Sequence, residues 1–428
     1  MTSGVSLPWL PVLPCRGSLL GGLVLDRRAS SELPISAMAA CSAATRVTQG
    51  LGLIVGSLLG LFTLEPLGVR EAGSGPTELP REMAVIGGVA GLVGLAALLH
   101  VVQAGPTLSF LSCAFALAGV AHVIGEATDQ LGNHLGPAAT GIVQSAVGNL
   151  PELFVCIFSL QAGLVTVVQT SLIGSILGNA LLVLGLAFIA GGRRHGVLVF
   201  ESQTPRMIAI LLLLAVSALV LPTLAHELHL PAGAHEQSLS VICAVVLLMV
   251  FWVLTRAMLM QGQRAVPAEA HARAHAWSLA TAVGVLMACG VAAVLVSDWF
   301  VEALKPAIEA LGISQAFAGL VVVAIAGNAV ENVVGIRFAA EGKADLAVSV
   351  VLNSALQVAV ALIPILIFVS FAIGGTPFTL PIPPILAVAL FLSVLVVTVV
   401  TVDGRADVVD GAALVGLYVI IAAIFWWG

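Results

Sequence analysis

The chain reads as an all-α polytopic membrane protein with about 11 transmembrane helices and an inverted internal repeat. Three observations predict it. Charge is scarce, apolar runs of about 20 residues recur, and a Gly-Asn-x-x-Glu motif occurs twice in register.

Of 428 residues, 60% are hydrophobic and 9% charged, with a mean hydropathy of +1.13. A soluble domain carries about 25% charged residues, so this chain lacks the charge to cover a globule of its size in water. Sixteen Lys and Arg against 22 Asp and Glu leave a net charge of −6 and no basic footprint for nucleic acid. One Tyr and six Trp are too few for the aromatic girdles of a β-barrel. The six Cys are scattered without CxxC or zinc spacing and are expected as free thiols. No phosphate loop occurs, which argues against ATP as the energy source.

Hydropathy predicts spans near 84–104, 107–126, 139–162, 166–191, 206–224, 238–260, 277–297, 313–339, 346–372, 382–402 and 411–427. Residues 1–83 form an N-terminal extension with one further apolar segment near 48–64. Residues 84–106 hold the leading helix, 107–260 the first repeat, 261–276 a cytoplasmic linker and 277–428 the second repeat. With the start of the first span placed in the cytoplasm, 11 of the 12 Lys and Arg beyond position 64 fall in cytoplasmic loops, and only Lys305 falls opposite. Basic residues favour that side, so the orientation follows.

Gly148-Asn149-Leu150-Pro151-Glu152 matches Gly327-Asn328-Ala329-Val330-Glu331 at an offset of 179, which persists to Gly163/Gly342 and Ser175/Ser354. Five spans separate the copies, so they enter the membrane in opposite directions. Inverted repeats of this kind place ion sites near the midplane of secondary transporters. Glu152 and Glu331 are the acids expected well inside apolar spans, where a carboxylate costs at least about 2.5–3.5 kcal/mol. Gly148, Pro151 and Gly327 weaken their helices and are expected to free backbone carbonyls for a cation. Asn149 and Glu152, like Asn328 and Glu331, share a helix face. Together these groups approach the six to eight oxygens that Ca²⁺ prefers.

On the following helices Gly174 and Gly178 permit close approach. Ser175, Asn179, Ser354 and Gln357 are expected to support the site as ligands, or as hydrogen-bond partners that orient the carboxylates. His226, His229 and His235, with Glu227 and Glu236, cluster on an outer loop without a zinc signature. Cys156, one turn beyond Glu152, suits a small buried hydrophobe better than a soft ligand.

GNLPELFVCIFSLQAG followed by SLIGSILGNALLVLG, and GLVVVAIAGNAVENVVGI in the second half, resemble the signature regions of the calcium/cation antiporter superfamily, specifically its Ca²⁺/H⁺ exchanger branch. The resemblance spans roughly residues 84–428. It implies two inverted five-helix repeats plus a leading helix, with Glu152 and Glu331 as shared Ca²⁺ and proton sites. The chain departs from the branch at Asn332, where His is frequent, and at Asn353-Ser354-Ala355-Leu356-Gln357, where Gly-Ser-Ser-Thr-Gln is usual. The acidic helix usual between the halves is replaced by a linker with Arg264, His271, Arg273 and His275.

The expected function is therefore a secondary transporter, not an enzyme, that exchanges cytoplasmic Ca²⁺ for protons across a bacterial inner (plasma) membrane. Na⁺/H⁺ or K⁺/H⁺ exchange on the same scaffold is the alternative, and a cation channel ranks behind both. No cofactor is required, since Ca²⁺ and H⁺ are cargo. The expected partners are membrane lipid, small inorganic cations and protons, with oligomeric state left open.

Overall fold

In hydrocarbon no water satisfies a bare N–H or C=O, so each apolar run closes its own hydrogen bonds as a helix. The computed structural model describes residues 78–135, 147–200, 203–262, 277–373 and 377–427. Over these the chain forms α1 (Glu78–Val101), α2 (Pro106–Leu135), α3 (Leu150–Gln161), α4 (Val165–His195), α5 (Gln203–Glu227) and α6 (Glu236–Gly262). After the linker come α7 (Leu279–Leu311), α8 (Gln315–Gly327), α9 (Ala329–Ala340), α10 (Ala344–Ile373), α11 (Pro384–Asp403) and α12 (Val408–Trp426). Among the described residues nine helices are long and apolar enough to cross a membrane, or ten if the bent pair α8–α9 counts as one span. The molecule is a polytopic helical membrane protein.

Several expectations fall outside the described residues: the extension through residue 77 with its apolar segment at 48–64, the part of span 139–162 up to residue 146, and Arg264, His271, Arg273 and His275 of the linker. The span expected at 313–339 bends by 64° between α8 and α9, beside Gly327, the residue expected to weaken that helix. Two span ends are corrected. Helices α2 and α7 run on past the expected ends at 126 and 297, so Glu126, Asp129, Asp298, Glu302 and Glu309 are helical. Ser278 caps the start of α7 by accepting from Thr281 N at 3.1 Å, and Gly312, at φ +64°, ends it.

The 179-residue offset reappears in the backbone. Helix α3 spans 150–161 and α9 spans 329–340. The turn glycines after them, Gly163 and Gly342, both have positive φ, +73° and +78°, which a side chain would strain. Helix α4 then contains a π-helical stretch at Gly178–Val183, and α10 one at Val358–Leu362. A third lies in α8 at Ala318–Val323. Each inserts a residue into the α ladder, a feature found mostly at functional sites.

Lipid tails are as apolar as Leu, so close packing rather than water exclusion holds such helices together. Helices α2 and α7 pack along their lengths, with Phe110 stacked on Phe300 at 4.8 Å and Leu304, Val167 and Ala318 buried beside them. Helices α4 and α8 cross with their backbones in contact. A Cβ on Gly174 would lie 2.3 Å from Leu320 O, and one on Gly319 would lie 2.6 Å from Val167 O. Leu92, Leu95 and Leu98 of α1, and Ile242, Met249 and Trp252 of α6, remain exposed, as lipid-facing residues do.

Two connections depart from a purely helical reading. Leu198–Val199 and Arg405–Ala406 form a two-residue antiparallel ladder, β1–β2, which no alternation in the sequence announced. The proline-rich stretch before α11 cannot bond to itself. Helices supply its partners: Ser370 Oγ accepts from Phe378 N, Ser240 Oγ from Leu380 N and Thr223 Oγ1 from Ile382 N, while Gln169 Nε2 donates to Pro381 O at 2.8 Å.

Candidate functional site

Glu152 lies in the first turn of α3, where Pro151 occupies a position whose N–H would have no helical partner. Unpaired N–H groups give this end of a helix a partial positive charge, which favours a carboxylate. Asn149, at φ −93° and ψ 11°, forms the non-helical joint before it. Asn328 forms the matching joint between α8 and α9, at φ −111° and ψ 24°. Glu331 is the third residue of α9, as Glu152 is of α3; its side chain lies outside the described residues.

The carbonyls of the two joint residues stay bonded: Asn149 O accepts from Leu153 N at 3.0 Å, and Asn328 O accepts from Asn332 N at 3.2 Å. Pro151 O takes a further bond at 3.5 Å from Ser297 of α7, a contact absent from the sequence reading because Ser297 belongs to neither motif.

Glu152 is 2% exposed. Ser175 Oγ donates to Glu152 Oε1 in a short hydrogen bond. Asn328 Nδ2 donates to Ser175 Oγ at 3.0 Å and to Ala324 O at 3.0 Å. Asn328 Oδ1 accepts from Asn179 Nδ2 at 3.2 Å and from Ser354 Oγ at 3.4 Å. Glu152, Ser175 and Asn179 from one motif copy thus join Asn328 and Ser354 from the other in one buried chain. Asn149 and Gln357 form a second bridge, Nδ2 to Oε1 at 3.4 Å.

The glycines divide. Gly327 lies against Glu152, its would-be Cβ 3.6 Å from that of the glutamate. Gly174 makes the α4–α8 crossing that brings Ser175 to Glu152, whereas Gly178 has no atom of the described residues within 4 Å of its would-be Cβ. Gly148 sits in the turn before Asn149. Ala355 and Leu356 are buried between Ser354 and Gln357, which accept hydrogen bonds from Asn179 and Asn149 respectively.

The secondary candidates form no site. Cys156 is a buried free thiol 3.8 Å from Ser171 Oγ. His226 Nδ1 pairs with Glu236 Oε1 at 2.7 Å. Among the described residues no three His, Cys, Asp or Glu side chains gather as metal ligands. Chemically, the main arrangement offers a carboxylate, the Asn328 amide oxygen and two hydroxyls in a buried setting, suited to an oxygen-loving cation or a proton.

Comparison with known proteins agrees. The sodium/calcium exchanger protein family matches residues 105–260 and 281–427. The Ca²⁺/H⁺ antiporter of Aphanothece halophytica is 31% identical over 340 residues, 74% of this chain and 90% of the relative. That of Synechocystis sp. is 33% identical over 344 residues, 76% of this chain and 92% of the relative. The solved Ca²⁺/H⁺ antiporter protein YfkE superposes with a TM-score of 0.67 at 27% identity, covering 81% of this chain and 99% of its own. The chain belongs to the sodium/calcium exchanger protein family.

Proposed function

We propose that the protein exchanges cytoplasmic Ca²⁺ for protons, with Glu152 and Glu331 as the shared cation and proton groups. Asn149, Asn328, Ser175, Ser354 and Gln357 supply or orient further oxygens. The observation that carries the reading is the buried chain from Glu152 through Ser175 and Asn328 to Ser354, which links the two motif copies. A carboxylate can bear a proton or help hold Ca²⁺, but not both, so loading one expels the other. Exposure of one such site to each side in turn gives exchange. The names of the Aphanothece and Synechocystis relatives support the same pair of ions.

On this reading the chain has 11 spans: a leading helix within 84–106, an inverted repeat at 107–260, a cytoplasmic linker at 261–276 and a second repeat at 277–428, after an extension at 1–83. The basic-residue bias supports the orientation, and a bacterial inner membrane supplies the proton gradient. The test is proton flux in inside-out vesicles on adding each cation separately. Ca²⁺ should release protons from the acidified lumen, and Na⁺ or K⁺ should do so far less. Equal responses to Na⁺ would instead favour monovalent exchange, and cation current without proton movement would favour a channel.

A further inference from the structure

The two ends of the Asn179 carboxamide have opposite surroundings. Nδ2 lies 3.1 Å from Ser175 O, 3.2 Å from Asn328 Oδ1 and 3.2 Å from Ser354 Oγ. Oδ1 is buried, in a residue 1% exposed, and accepts no hydrogen bond among the described residues. This orientation is dictated by its neighbours. A backbone carbonyl such as Ser175 O only accepts. Asn328 donates through Nδ2 to the acceptor-only Ala324 O, so Asn328 presents its own oxygen to Asn179. Two acceptors therefore select the amino end of Asn179.

Three oxygens from three separate stretches of chain converge on one nitrogen that carries only two hydrogens. Convergent oxygens of this kind also suit a hard cation. A cation and the Asn179 amino group are thus rivals for one set of oxygens. We propose that the Asn179 amide is a tethered competitor for the transported cation, flipping between an amino-in and an oxygen-in orientation. With Nδ2 inward its two hydrogens are shared among the three oxygens, and Ser354 Oγ donates to Asn328 Oδ1, so the cluster needs no ion, the form suited to protonated carboxylates. A half-turn about the Cβ–Cγ bond brings Oδ1 inward instead. Four oxygens then face one another with only the Ser354 hydroxyl hydrogen among them, an arrangement that a cation between them stabilises and that is otherwise short of donors.

The π-helical stretch begins at Gly178, so Asn179 stands on the segment where the α ladder is interrupted. The matching position of the second repeat is Val358, so the switch belongs to the first repeat alone. This inference rests on the exchange reading and adds what keeps the cation-loaded and proton-loaded forms apart.

The test is the kinetics of Ca²⁺-driven proton flux in vesicles at about pH 8, a pH at which ordinary carboxylates are ionised. Asn179→Asp keeps the shape but offers an acceptor at both ends. It should lower the KM for Ca²⁺ several-fold and cut kcat at least about tenfold, because the return step loses its donor. A purely structural role would not split the two constants in this way. If Asn179→Asp fails to reach the membrane, Asn179→Ser and Asn179→Ala decide, since they differ by one hydroxyl that can donate or accept by rotating. The Ser variant should exchange at least about fivefold faster, and equal rates overturn the proposal. Wild-type flux together with KM and kcat for Asn179→Asp both within about twofold of wild type overturns the switch alone. No Ca²⁺-driven proton flux in the unsubstituted protein overturns the exchange reading, and the switch with it.

Discussion

At Glu152 a buried carboxylate at the start of a half-helix accepts a hydrogen bond from Ser175 and lies against Gly327 of the other copy. Glu152→Gln keeps the shape and removes both charge and titration. It should insert normally, because a neutral amide is less costly in the membrane than a carboxylate, while Ca²⁺-driven proton flux falls to background. Glu309→Gln, at an exposed position near the end of α7, should retain most activity in the same assay. Ser175→Ala removes a hydrogen bond to a carboxylate. Such bonds contribute about 1.5–3 kcal/mol, so apparent Ca²⁺ affinity should weaken about tenfold or more; an unchanged affinity would show that Ser175 only fills space. The residue types were legible because an acid at membrane depth and a repeated Gly-Asn are rare. The pairings were not. Asn149 meets Gln357, 208 positions on, and Asn179 meets Asn328, 149 positions on. Neither follows from spacing, because both depend on how the helices cross.

The α4–α8 crossing sets that geometry. Gly174→Ala places a methyl group on the backbone of Leu320, which has no rotamer with which to yield. Folded protein in detergent, measured by size-exclusion recovery, should drop sharply. Gly178→Ala, four residues on and with open space at its Cβ among the described residues, should be tolerated. Equal recovery of the two variants would mean that the crossing is not needed. At the α9–α10 turn Glu341 accepts from Lys343 Nζ and from Arg337 Nε, both at 2.8 Å. The Lys343 hydrogen bond foremost, then that of Arg337, holds its carboxyl below the usual carboxylate value. A lowered folded value contributes stability above the unfolded one, and this is lost as pH falls through the folded value. The acid-side fall in thermal midpoint should therefore be shallower in Glu341→Gln, an effect kept small by exposure and screening. Identical acid limbs would remove Glu341 from that balance.

Elements were legible to unequal degrees. Long apolar runs mark spans well, and Gly-Asn marked the joints. The sequence did not mark the π-helical stretches, because one inserted residue leaves the composition of a mostly apolar run unchanged. The β1–β2 ladder escaped notice because two residues are too few to show alternation. The ends of α2 and α7 were set too early because hydropathy falls where charged residues enter, whereas a helix continues past the hydrocarbon where water solvates its side chains.

For the molecule as a whole, exchange requires that protons and Ca²⁺ compete at one site. Ca²⁺ binding must then release protons, and equilibrium affinity must weaken as pH falls. Titration of purified protein between about pH 8.5 and about pH 6, a range that brackets buried carboxylates, should show this; a flat profile would contradict direct competition. The family was legible from two motifs that cover a small fraction of the chain, and the matched regions 105–260 and 281–427 bear it out. The cargo was less so, since Asn353, Ala355 and Leu356 depart from the resembled pattern without removing Ser354 or Gln357 from the site.

The most direct test of a site shared between two repeat copies compares Glu152→Gln and Glu331→Gln in the same inside-out vesicles, with lumenal pH followed after Ca²⁺ addition. The account predicts that both variants insert at wild-type levels and that each loses Ca²⁺-driven proton release to a similar, near-complete extent. Release near the wild-type rate in either variant would contradict it and place the exchange site elsewhere.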